Sequence, residues 1–69
     1  MTLSIFDATM IVEGQFDLAG ISEEDMTEEK YFEAAQVLID TGVAWQLQGF
    51  FGRTCQHLID EGHCTVKGE

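Results

Sequence analysis

The stretch from Thr27 to Thr41 does most to decide what this chain can fold into. Tyr31, Phe32, Ala35, Leu38 and Ile39 recur at i, i+1, i+4, i+7 and i+8, the pattern of one apolar face of an α-helix. Thr27 is a residue type that caps helix N-termini, and Glu28 and Glu29 follow where the helix dipole favours negative charge. Gly42 stands where a left-handed C-cap would end the helix. The opposite face reads Glu29, Glu33, Gln36, Asp40, and three of those four are acidic. Such a helix is stable only if its apolar face is covered, so the rest of the chain must supply the cover.

A second helix is predicted from Val43 or Ala44 to Glu61, closed by Gly62. Leu47, Phe51, Cys55 and Leu58 form its core stripe, with Trp45, Phe50 and Ile59 beside it. The join at Gly42 is short enough to fold the two helices into a hairpin, antiparallel or steeply crossed. Gly49 and Gly52 fall inside this helix, each at a cost of about 1 kcal/mol against alanine. Two such residues in one turn indicate that another backbone comes close or that the helix breaks; close packing is the expected reading. Residues Ile5 to Val12 are compatible with a short helix capped by Ser4 or with a strand. A lone strand has nothing to pair with here, so helix is expected. Gln15 to Met26 is then a connection, with Phe16, Leu18 and Ile21 on the core and Ser22 to Asp25 exposed. The predicted fold is mainly α: one small domain over residues 1–69, with two main helices in a hairpin plus a short N-terminal helix.

A chain of 69 residues has room for one domain. A domain of this size buries only about 60% of its unfolded surface, so its core is thin. Hydrophobic residues make up 45% of the chain, too many for a disordered acidic tail. No apolar run is long enough for a membrane span, and the N-terminus shows no secretion signal, so a cytosolic protein is expected.

Thirteen acidic side chains face only Lys30, Arg53 and Lys67, for a formal net charge of -10. Binding to nucleic-acid phosphates or to anionic membranes needs clustered Lys and Arg, which this chain lacks. A basic partner is favoured instead, with steered association. The charge is also polarised: ten acids precede Gly42, whereas Val43 to Ile59 contains none.

Two surfaces follow as candidate partner sites. The first is acidic: Glu23, Glu24, Asp25, Glu28, Glu29, Glu33 and Asp40. Carboxylates four residues apart on a helix are about 6 Å apart along the axis, within a factor of two of the axial rise per phosphate on a DNA strand. Such a row fits a groove built for phosphates; the plain alternative is a solvated helix face. The second surface is the block Trp45 to Arg53, where Trp45, Phe50 and Arg53 are the anchoring types. Phe50 and Phe51 diverge by about 100° on a helix, so one of them points away from the core, toward a partner or a second copy of the chain. The plain alternative is core packing, with Arg53 paired to Asp60 or Glu61.

Cys55, His57, His63 and Cys64 bring together zinc-ligand types, but their spacing fits no CxxC or HxxxH pairing, and no metal site is expected. A Cys55–Cys64 disulfide is not expected in the cytosol. Cys55 is read as buried, His57 as a surface residue and His63-Cys64 as an exposed tail. Two serines, no phosphate-binding glycine loop and little room for a sheltered acid leave no frame for catalysis, so neither enzyme activity nor a cofactor is expected.

The run Leu38-Ile39-Asp40-Thr41-Gly42-Val43-Ala44-Trp45-Gln46-Leu47-Gln48-Gly49-Phe50-Phe51-Gly52-Arg53-Thr54, continuing to Leu58-Ile59-Asp60-Glu61-Gly62-His63-Cys64, resembles a group of short bacteriophage proteins. Their core reads LIDTGLAWQLQG-aromatic-GRT…LIEAG behind a variable acidic front, and this chain departs from them in a longer acidic segment from Phe16 to Met26. The resemblance carries over no functional residue. It implies phage origin and action in the host bacterial cytoplasm. Small acidic phage proteins often block host nucleic-acid machinery. The leading expectation is therefore an inhibitor of host defence, an anti-CRISPR acting as a nucleic-acid mimic on a basic host complex. The alternatives are a structural or adaptor phage protein acting through Trp45, Phe50 and Arg53, as a homodimer for instance, and a modulator of host transcription.

Overall fold

The computed structural model describes residues 3–47 and 49–66. Helix α1 spans Ile5–Glu13, α2 spans Glu28–Thr41 and α3 spans Gly49–Asp60, with short 3-10 helices at Phe16–Ala19 and Val43–Trp45. The protein is mainly helical, as predicted, and no strand occurs among the described residues. No helix among them is long and apolar enough to cross a membrane.

The N-terminal ambiguity resolves as helix. The Ser4 hydroxyl accepts from the Asp7 amide at 3.1 Å, and Gly14 closes α1 in the left-handed region at φ 87°. The β-branched residues tolerate this because tertiary burial outweighs propensity: Ala8, Ile11 and Val12, at i, i+3 and i+4, are all buried. Their cover is α2, which buries Ala34, Ala35, Leu38 and Ile39. The α1–α2 interface is the most extensive in the fold. Ala8, Ala34 and Ala35 are fully buried, small enough for the two axes to come close.

Between α1 and α2, Phe16 and Ile21 pack against the core as expected, and Met26 joins them. Leu18 does not, being 60% exposed. With three residues per turn in a 3-10 helix, Phe16 and Ala19 share a side and Leu18 is turned away. Helix α2 has the predicted caps. Thr27 Oγ1 accepts from the Lys30 amide at 3.2 Å, and Gly42, at φ 79°, donates its N–H to Ile39 O.

The second predicted helix is shorter than expected. After Gly42 the chain makes the 3-10 turn Val43–Trp45, and the amides of Gln46 and Leu47 both bond to Val43 O. The α-helix begins only at Gly49; Gln48, inside the predicted span, lies outside the described residues. Leu47, expected in the core stripe, is therefore off the helix and 36% exposed. The rest of the stripe is buried as predicted, with Phe51, Cys55 and Leu58 facing inward at i, i+4 and i+7. Both readings of the paired glycines apply. The helix breaks before Gly49, and the chain folds back so that a Cβ on Gly52 would meet the Ala44 carbonyl oxygen at 3.7 Å.

Gly62, at φ 86°, ends α3 and reverses the chain, with the amides of His63 and Cys64 both donating to Leu58 O. This turn overturns the expected exposure of one of the two tail residues: His63 is exposed, but Cys64 is buried in the core. That core consists of twelve hydrophobic residues, of which four are alanine and two cysteine, so few large side chains carry it.

Candidate partner-binding surfaces

The seven acidic residues lie on two consecutive pieces of chain. Glu23, Glu24 and Asp25 form the turn before α2, held by Ser22, whose hydroxyl accepts from the Asp25 amide at 3.3 Å and donates to Asp25 Oδ2 at 3.0 Å. Glu28, Glu29, Glu33 and Asp40 project from α2. All seven are exposed. From Glu29 to Asp40 the helix rises about 17 Å. The one ion pair among the described residues, His57 Nε2 to Glu61 Oε1 at 3.5 Å, involves none of them. Their negative charge is thus uncompensated by any paired side chain among the described residues.

Gln36, the uncharged member of that helix face, has a role the sequence did not disclose. Its Nε2 donates to Asp40 Oδ1 at 2.8 Å and to Thr65 O at 2.8 Å, while its Oε1 accepts from the Thr65 amide at 2.9 Å. Beside it, Cys64 Sγ lies 3.5 Å from Phe32 O, and the His63 ring stacks on Phe32 at a centroid distance of 4.2 Å and an interplanar angle of 6°. Every other side-chain hydrogen bond among the described residues joins groups within four positions of each other. The three that cross the fold all tie Cys64–Thr65 to α2. Nothing in the spacing of Phe32, Gln36, His63, Cys64 and Thr65 announces this contact, because it depends on the left-handed turn at Gly62.

The second candidate surface is divided. Phe51 is buried and Phe50 is 45% exposed, which is the divergence expected of adjacent aromatics; their rings meet edge to face at 5.2 Å. Trp45 is 48% exposed, and its ring lies where a Cβ on Gly52 would meet Cε3 at 3.8 Å. Positions 50 and 52 are about 200° apart on a helix, so Trp45 and Phe50 flank buried Phe51 on opposite sides. Arg53 is exposed and pairs with neither Asp60 nor Glu61. Asp60 accepts from Gln56 Nε2 at 3.0 Å, Glu61 faces His57, and the Arg53 guanidinium folds toward Gly49, where a Cβ would come within 3.0 Å of Nη1.

Cys55 and Cys64 are free and buried. Burial raises the Cys55 thiol pKa, and the nearby Cys64 adds to the rise. Burial also raises that of Cys64, with the Asp40 carboxylate contributing. The Tyr31 hydroxyl is raised by burial first and then by both cysteines, so the three groups share one region between α2 and α3. No three His, Cys, Asp or Glu side chains among the described residues converge as metal ligands, and no cavity opens among those residues.

No curated protein and no solved structure matches the chain. A family model does, over residues 9–69, which takes in most of α1, both acidic pieces, α2, α3 and the segment that returns to α2. The chain belongs to the family described as a domain of unknown function (DUF7417).

Proposed function

We propose that this protein acts by binding rather than catalysis, and that its working face is the acidic surface of Glu23, Glu24, Asp25, Glu28, Glu29, Glu33 and Asp40. The observation that carries this reading is that all seven carboxylates are exposed and none has a cationic side-chain partner among the described residues. A row of unpaired charge about 17 Å long offers a basic groove a substitute for phosphates. Such a surface suits a phage-encoded inhibitor that occupies the nucleic-acid-binding surface of a host defence complex in the bacterial cytoplasm, an anti-CRISPR in the first instance. A modulator of host transcription would use the same surface in the same way.

The test is capture of CRISPR effector complexes from bacterial lysate on the tagged chain, washed at two salt concentrations. Screening makes an interaction of this kind fall steeply with ionic strength. Glu29→Lys combined with Glu33→Lys is expected to abolish capture while leaving the fold intact, because both side chains are exposed. Capture that persists at high salt or through the double reversal rules the mimic out.

A second reading rests on the half-exposed Trp45 and Phe50. Here the chain is a structural or adaptor protein of the phage, and Arg53 supplies the one cation of an acid-free segment, with a homodimer as one arrangement. Phe50→Ala or Arg53→Ala would then abolish function while changes on the acidic face are tolerated.

A further inference from the structure

We draw no further inference here: the strongest candidate, the apolar surface patch around the start of α3 where Trp45, Leu47 and Phe50 are exposed beside Arg53, carries none, because it is an unpartnered face and nothing in the structure shows what covers it.

Discussion

Helices α2 and α3 carry the same kind of apolar periodicity, yet only α2 runs between the ends its sequence indicates. α2 has a hydroxyl cap at Thr27 and a left-handed glycine at Gly42, each engaged by hydrogen bonds. α3 has Gly62 after its end but no comparable start signal, and the chain spends Val43–Trp45 in a 3-10 turn before the helix begins at Gly49. Periodicity therefore fixed which face is buried in both helices, while caps fixed where α2 begins and ends. The surfaces they offer differ for the same reason. α2 presents a charged face of known register with Gln36 as its uncharged member, whereas the break before α3 leaves Trp45 and Phe50 on opposite flanks.

The strongest way to break this comparison is to truncate one leucine from each stripe. Leu38 in α2 is fully buried, and Leu38→Ala should destabilise the domain by about 3 kcal/mol, enough to unfold much of a population this marginal. Leu47, which periodicity puts in the core, should lose less than about 1 kcal/mol on the same change, because it is already 36% exposed. Urea unfolding of both variants measures the difference; equal losses would mean that Leu47 belongs to the α3 core after all.

A smaller effect separates the glycines. Gly42→Ala forces a side chain into the left-handed region and should cost about 1 kcal/mol. Gly52 has ordinary helical geometry, and its added Cβ would meet Ala44 O and the Trp45 ring at 3.7 and 3.8 Å, ordinary contact distances. Gly52→Ala should therefore stabilise the domain by roughly 0.5 kcal/mol through helix propensity. Opposite signs in thermal melts support the assignment. Destabilisation at Gly52 would show that the Ala44 backbone presses on α3 more tightly than these distances indicate.

The smallest predicted effect is a pH dependence located between the two helices. Burial raises the pKa values of Cys55, Cys64 and Tyr31 in the folded chain. Above the ordinary thiol range, near about 8.5, the unfolded chain loses protons that the folded chain keeps. Stability is then complete below that range and falls as pH rises through it. Cys55→Ala with Cys64→Ala should flatten the thiol part of this fall, measured as urea midpoints at increasing pH. A profile unchanged by the double substitution would assign the fall to Tyr31.

The candidate surfaces were legible to different degrees. Every acidic residue named from the sequence is exposed, since seven carboxylates without cationic neighbours have nowhere else to go in a small core. The proposed pairing of Arg53 with Asp60 or Glu61 did not form: both acids lie about two helical turns further on, and the Arg53 guanidinium folds back toward Gly49. The exposed Leu18 shows a limit of a different kind: hydrophobicity names a residue for the core, but the local turn decides whether it can face inward.

The sequence by itself determined that the chain is helical, which faces of α2 and α3 are apolar, where α2 starts and stops, and that one stretch carries most of the charge. These follow from residue periods, cap chemistry and composition, all of which act over a few positions. Only the tertiary structure decided that Cys64 is buried, that Phe32 and Gln36 receive the returning chain, and that the Trp45 and Phe50 side chains point apart. Each of those depends on the direction the backbone takes after a left-handed glycine or a broken helix. Contacts between residues about thirty positions apart are set by that geometry, and no local pattern of side chains encodes it.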